Sequence, residues 1–296
     1  MKFYFSTLIV LLSLSCNTEA SKDSPSQADT EITKTDTLLK QNITTEDLEE
    51  EQRKLADSNS YYLNLILDKV LQTSKKYKNR NLYSGSIDTS VYHFRNVHAT
   101  FLVGNVFSKD RKHLLVKRFI NEYGGFGTSL FFDIYTLKEN QFKKLISDTA
   151  NIGYTQDTLE DINADGFKDF IVSQYSGVGC CPRDDRMAYL YNNKNGSFEA
   201  VNLFNPEFDY KHNTVYEMDY GYPGEVSIEK SVWKGLTKIL VESLSPNHFE
   251  NRMDSFVKPY SYIKTVYTGE KTIILKDVPN EYKKLNNFEY FISYQK

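Results

Sequence analysis

Nine consecutive residues, Asp161-Ile162-Asn163-Ala164-Asp165-Gly166-Phe167-Lys168-Asp169, restrict this chain more than any other stretch. Oxygen-bearing side chains stand at the first, third, fifth and ninth positions, and glycine stands at the sixth. Calcium takes about six to eight oxygens at about 2.3–2.6 Å. A tight loop with alternate side chains turned inward supplies oxygens in this order. Asp161, Asn163 and Asp165 each offer a side-chain oxygen, Phe167 its backbone carbonyl, and Asp169 a carboxylate, directly or through water. Gly166 permits the sharp turn because it has no Cβ to clash at positive φ. Asp, Asn and Gly also build metal-free turns. A plain turn has no need of four oxygen ligands in register, so calcium is the expected cofactor.

The residues after the loop decide its type. An EF-hand needs a bidentate Glu at its twelfth position inside a departing helix. That position is Val172 here, within Phe170-Ile171-Val172-Ser173-Gln174-Tyr175, a β-branched and aromatic run that reads as a strand. A calcium loop leading into a strand resembles the FG-GAP or VCBS-type repeats of integrin α-chain propellers and bacterial surface proteins. The resemblance rests on Asp161, Asn163, Asp165, Gly166, Phe167 and Asp169. Those proteins carry several copies, whereas this chain carries one.

The rest of the sequence favours β structure. Its 22 tyrosines and 19 phenylalanines are abundant, and several of the runs that contain them alternate as strands do. From about residue 80 the apolar pattern has period two, and candidate strands are 98–107, 112–119, 129–137, 142–146, 170–175, 187–191, 197–203, 225–233 and 236–244, with weaker ones at 262–267 and 271–275. Asn195-Gly196 and Lys234-Gly235 mark hairpins. The segment around Val278-Pro279-Asn280-Glu281-Tyr282 is irregular and reads as a cap. The expected fold is mainly β: an antiparallel sandwich or propeller-like meander with one calcium loop, preceded by a helix and a disordered tether. A net charge of −3 implies no large basic surface, so nucleic acid is not an expected partner.

The N-terminal residues read as targeting and tether. Lys2 is a short positive region, and Phe3 through Leu14 is an apolar stretch too short to span a bilayer as a helix. It ends in Ser13-Leu14-Ser15-Cys16, which resembles the lipobox of bacterial lipoproteins, although the usual Leu three before the Cys is Ser13. The resemblance implies a signal peptide over 1–15 and an acylated Cys16 as lipid anchor. Residues 16–43 form a polar arm whose composition cannot bury enough surface to fold. Residues 44–78 form a helical segment, with a cap at Thr44-Thr45-Glu46-Asp47 and a break expected near Asn59. Its apolar stripe, which includes Leu63, Ile66, Leu67, Val70 and Leu71, is expected to pack on the main domain, a β domain over 79–296 containing the loop 161–169.

Other constellations carry less chemistry. Cys180 and Cys181 are sequence neighbours, with Cα atoms about 3.8 Å apart, below the about 4.4–6.8 Å of a relaxed disulfide. Three arrangements are open: a strained vicinal disulfide, two free thiols, or an intermolecular bridge. The preferred reading is that the pair shapes the loop from Gly177 to Pro182. Gly124-Gly125-Phe126-Gly127 lacks the Gly-Lys-Ser/Thr ending of a phosphate loop and reads as a tight connection. Arg183-Asp184-Asp185-Arg186 reads as a solvated turn, with a polar recognition loop as the sharper alternative. The histidines show no His-Glu-x-x-His spacing, and no Gly-x-Ser-x-Gly elbow is present. A non-enzymatic role is therefore expected.

A second resemblance bears on function. After the loop come Asn205-Pro206-Glu207-Phe208, Tyr220-Gly221 and Trp233-Lys234-Gly235-Leu236. This order is similar to a group of bacterial lipoproteins that inhibit peptidoglycan hydrolases, some of them immunity proteins against effectors delivered by type IV secretion. The likeness spans roughly residues 155–245. It implies a non-enzymatic calcium-binding lipoprotein of the bacterial cell envelope, anchored in the outer membrane on its periplasmic or surface face. Its partner is expected to be another envelope protein, with a peptidoglycan hydrolase that it inhibits as the leading candidate. The alternative readings are a secreted glycan-binding protein and a glycan or peptidoglycan hydrolase.

Overall fold

Between Val97 and Val103 every second side chain is buried, as a strand with one face on a core requires. Between Phe170 and Ser173 consecutive side chains are all buried, which marks a strand covered on both faces. The computed structural model describes residues 45–89, 97–121, 128–150, 153–175, 184–220, 226–247, 261–286 and 288–293.

Among the described residues fifteen strands are arranged as three antiparallel sheets, each a meander in which neighbours in sequence pair in space. Sheet 1 holds β1 (Leu82–Thr89), β2 (Val97–Gly104), β3 (His113–Asn121), β4 (Thr128–Lys138) and β5 (Gln141–Ala150). Sheet 2 holds β6 (Tyr154–Glu160), β7 (Asp169–Tyr175), β8 (Asp184–Asn192) and β9 (Ser197–Phe204). Sheet 3 holds β10 (Glu207–Asp209), β11 (Thr214–Tyr220), β12 (Val226–Lys234), β13 (Thr237–Asn247), β14 (Ser261–Val266) and β15 (Lys271–Leu275). The fold is mainly β and antiparallel, and among the described residues no sheet closes on itself.

Four apolar clusters order the layers. Helix α1 (Thr45–Ser74) lays Leu63, Ile66 and Val70 on one face of sheet 1, against Ala99, Phe101, Leu114 and Val116. The opposite face of sheet 1, with Leu115, Phe119 and Phe132, meets Phe170, Val172, Tyr189 and Tyr191 of sheet 2. The other face of sheet 2, with Ile171, Ala188 and Leu190, meets Val215 and Trp233 of sheet 3. The outer face of sheet 3, with Met218, Ile228, Leu244 and Tyr262, is covered by Val278, Tyr282 and, from α2 (Phe288–Ser293), Phe291. Side chains alternate across each sheet: Leu114 and Val116 face α1 while Leu115 faces sheet 2. Helix and C-terminal segment thus cover the two outward faces that an open stack of sheets would leave wet.

A buried ion pair fixes the helix. Asp133 is fully buried and accepts a hydrogen bond from Arg118 at 2.5 Å and one from Ser147 at 2.7 Å, with Lys144 2.8 Å away. Arg118 also donates to the Leu63 carbonyl in the middle of α1, at 3.1 Å. Polar demand at the sheet is therefore met partly by the helix backbone.

Three details depart from the sequence pattern. Helix α1 runs unbroken through Asn59, because the packing of Ile66 and Val70 outweighs the weak local preference of one Asn. Asp184, Asp185 and Arg186 are not a turn; they open β8 and pair with Tyr175, Gln174 and Ser173 of β7. Four strands, β1, β6, β10 and β11, lie where the sequence shows no clean alternation. Among the described residues no helix is long and apolar enough to cross a membrane.

Candidate metal site

The Asp161–Asp169 stretch is the connection between β6 and β7, closed by the pairing of Glu160 with Asp169. Its own side chains fold it. One Asp161 oxygen accepts the Asp165 N–H at 3.1 Å, and the other accepts the Gly166 N–H at 2.8 Å. Asn163 Oδ1 shares the Asp165 N–H at 3.4 Å, and Asp165 Oδ1 accepts the Phe167 N–H at 2.9 Å. Asn163 Nδ2 donates to Asp165 Oδ2 at 3.3 Å. Asp161, Asn163 and Asp165 are thus brought together around one stretch of backbone. Ala164 and Gly166 take positive φ, +57° and +87°. A Cβ on Gly166 would meet nothing within 4 Å, so glycine is needed there for its backbone freedom and not for space.

Asp169 has a structural part as well. It is fully buried, and its two oxygens accept the Ile162 N–H at 3.1 Å and the Tyr191 N–H at 2.9 Å. It ties the start of the loop to β8. Each oxygen keeps a second acceptor site, since a carboxylate offers about four in all. Burial pushes Asp169 up to about 7; the two backbone N–H groups oppose the rise, and the Asp165 and Asp161 charges add to it. Asp165 is also raised, chiefly by burial. Phe167 turns its ring toward Tyr191, with centroids 6.0 Å apart. The Lys168 N–H donates to the Phe107 carbonyl at 3.2 Å. In the same trans peptide the Phe167 carbonyl must point the opposite way, away from Phe107.

The loop also joins all three sheets. Lys168 reaches the β2–β3 connection of sheet 1 at Phe107, and Asp169 reaches β8 of sheet 2 at Tyr191. Asn163 Nδ2 donates to the Gly235 carbonyl in the β12–β13 turn of sheet 3, at 3.2 Å. Just before the loop, Glu160 accepts a 2.6 Å hydrogen bond from the Tyr210 hydroxyl beyond β10. These partners are backbone groups and a distant tyrosine, and no local motif announces them.

Chemically, the donor set is oxygen only, which suits a hard cation such as calcium. Among the described residues no lysine or arginine pairs with Asp161, Asp165 or Asp169. Their charges therefore repel one another without an internal counter-ion. Among the described residues no three His, Cys, Asp or Glu side chains form a metal cage by themselves. A bound cation would draw on the Asn163 amide oxygen and the Phe167 carbonyl beside the carboxylates. Cys16, Cys180, Cys181 and the Gly124–Gly127 connection lie outside the described residues.

Comparison with known proteins adds little to this geometry. The chain matches no protein-family model and no curated protein. Among solved structures it is similar to a Xanthomonas type IV secretion system related protein, with 13% identity over 68% of this chain and 96% of that one, and a TM-score of 0.32. A likeness at that score carries no argument about the fold or the site.

Proposed function

We propose that this chain is a non-enzymatic, calcium-binding lipoprotein of the bacterial envelope that binds another protein there, a peptidoglycan hydrolase whose activity it blocks. One observation carries the reading. Three carboxylates, with no counter-ion among the described residues, sit in a loop whose hydrogen bonds reach all three sheets. A cation held by Asp161, Asn163, Asp165 and the Phe167 carbonyl, with Asp169 beside them, relieves the repulsion. It also stiffens the junction of the sheets. That is a scaffold's use of calcium: metal that binds only the folded state stabilises it by mass action. Location rests on the apolar stretch ending at Cys16 and the polar arm after it. Anchoring needs more than one acyl chain to be stable, which a lipoprotein Cys supplies.

The test is capture followed by titration. The mature chain, immobilised in calcium and exposed to envelope extract, is expected to retain a peptidoglycan hydrolase. Adding the pure chain to that enzyme is expected to abolish cell-wall lysis at a fixed stoichiometry. Retention of glycan alone, or lysis unchanged at saturation, contradicts the inhibitor reading.

A further inference from the structure

The total charge of −3 conceals a segregation of charge. Lys75, Lys76, Lys78 and Arg80 stand in the turn that follows α1, with no acid between Lys75 and Leu82. The β2–β3 connection adds Lys109, Arg111 and Lys112. Lys138 closes β4, and Lys194 lies in the β8–β9 turn. Hydrogen bonds gather these segments at one end of sheets 1 and 2. Lys112 Nζ donates to the Arg80 carbonyl at 2.7 Å and to Asn105 Oδ1 at 2.6 Å, and the Asn105 N–H donates to the Asn81 carbonyl at 2.6 Å. The Leu137 N–H, next to Lys138, donates to the Lys112 carbonyl at 2.9 Å. Arg111 Nη2 donates to the Lys194 carbonyl at 3.3 Å. Gly196 makes room for that contact, since an added Cβ would stand 2.0 Å from Arg111 Nη1.

The acids in these segments are Asp110 and Glu139, and Glu139 is paired with Lys143 at 3.2 Å. Among the described residues no carboxylate pairs with any of the cations just named. Lys75, Lys76, Arg80, Lys109, Lys138 and Lys194 are exposed. The end of α1 accounts for Lys75 and Lys76, whose charges complement the helix dipole. It does not account for the cations contributed by the three other turns. Carbonyls that would temper them are turned inward: those of Ser108 and Lys109 accept from Asn105 Nδ2 at 3.1 and 2.5 Å. The Asp161–Asp169 loop adjoins this end, its Lys168 N–H reaching Phe107 in the β2–β3 connection. The calcium proposed there offsets the loop's own carboxylates. Like charges held this close repel one another until something anionic meets them.

Position narrows the occupant. The chain that leads to Cys16 joins α1 at its N-terminal end, and between Glu49 and Ser74 the helix covers about 39 Å. The basic end lies past Ser74 and therefore opposite the arm. A bilayer reached through the arm is on the wrong side, and a soluble acidic surface is on the right one.

We propose that this basic end docks an acidic face of the partner protein, with Arg80, Lys109, Arg111 and Lys194 at its centre. The inference rests on the protein-binding reading above and assigns it a surface. Charge complementarity of this kind speeds encounter and selects among partners.

The experiment uses the mature chain in calcium and fluorescein-labelled poly-L-glutamate, read by anisotropy. Saturable binding is expected, weakening as salt rises. The variant Lys76→Glu, Arg80→Glu, Lys109→Glu, Lys194→Glu is expected to bind on the order of tenfold more weakly. The variant Lys211→Glu, Lys271→Glu, Lys276→Glu, Lys284→Glu makes the same change in net charge on sheet 3 and the segment after it, and is expected to stay within about twofold of the parent chain. Absence of saturation, no loss in the first variant, or an equal loss in both overturns the proposal, because binding would then be absent or would follow total charge. Should the first variant fail to fold, the neutral set Lys76→Gln, Arg80→Gln, Lys109→Gln, Lys194→Gln carries the same contrast. Phosphatidylglycerol vesicles that bind through these residues, where poly-L-glutamate does not, overturn the protein partner. The first variant is also expected to retain on the order of tenfold less of the hydrolase captured from envelope extract. Undiminished capture overturns the docking role of this surface. Poly-L-glutamate binding that follows these residues, with no hydrolase captured by the parent chain, contradicts the inhibitor reading and leaves the basic end standing.

Discussion

His113 makes the interface between sheets 1 and 2 sensitive to acid. It opens β3, is fully buried, and neither ring nitrogen has a hydrogen-bond partner. Phe107 and Tyr191 meet it edge-on, with centroids 5.2 and 5.1 Å away. Burial, and then the Arg111 charge, push it down from 6.5 to about 4, against a smaller opposing effect of the Arg111 backbone. In the unfolded chain it would titrate near its ordinary value. Between pH 6.5 and 4 the unfolded state therefore binds more protons than the folded one, and stability falls as pH falls. At about 1.4 kcal/mol per pH unit, the loss reaches about 3 kcal/mol by pH 4. The perturbation is His113→Phe, which fits an aromatic surround and cannot be protonated. Urea unfolding of both proteins from pH 8 to pH 4 reads the difference. The variant is expected to carry a constant overpacking offset of about 1–3 kcal/mol. The gap between the two proteins should then shift by about 3 kcal/mol in its favour between pH 7 and pH 4. Parallel curves across that window would refute the argument, because acid loss would then belong to other groups.

Two further outcomes are expected of the same structure. Arg118→Met strands the buried Asp133 carboxylate and frees the Leu63 carbonyl, and should cost about 3–5 kcal/mol in chemical unfolding; a cost under about 1 kcal/mol would show that Lys144 and Ser147 suffice. Cys16→Ser should release the protein from membranes into the soluble fraction with the β domain still folded, as followed by fractionation and circular dichroism; continued membrane association would contradict the lipid anchor.

Particular residues show how much of the fold is legible in the sequence. Val97, Ala99, Phe101 and Val103 alternate and announce β2, and the unbroken Phe170-Ile171-Val172 run announces a strand buried on both faces. The Asn195-Gly196 and Lys234-Gly235 turns sit where the chain reverses, both glycines at positive φ. β11 is hidden because its two faces both pack, Val215 and Glu217 to one side and Tyr216 and Met218 to the other, and Glu217 is buried against Lys238. No alternation survives when a charged residue is internal. β1 and β6 are edge strands rich in Ser, Thr and Asp, for which one-sided burial leaves little apolar signal. At the loop, the spacing of Asp161, Asn163 and Asp165 is visible because ligands in one turn are local in sequence. The anchoring partners Phe107, Tyr191 and Gly235 act through backbone atoms, and any residue type could stand there. By spacing alone Asp169 is one more ligand; its burial and its two backbone bonds, which tie the loop to β8, are visible only in the structure.

Whether the Asp161–Asp169 loop holds calcium, and through it steadies the stacked sheets, is read from thermal melting of the mature chain in calcium and in chelator. At calcium a hundredfold above the dissociation constant, the folded state gains about 2.7 kcal/mol. For a chain of this size that is a rise of about 5–10 °C. Asp165→Ala removes one ligand and the acceptor of the Phe167 N–H, and should erase the shift. A calcium-dependent rise that this variant loses is expected, with magnesium giving little because it demands a stricter octahedron. An identical melting point in calcium and in chelator would contradict it.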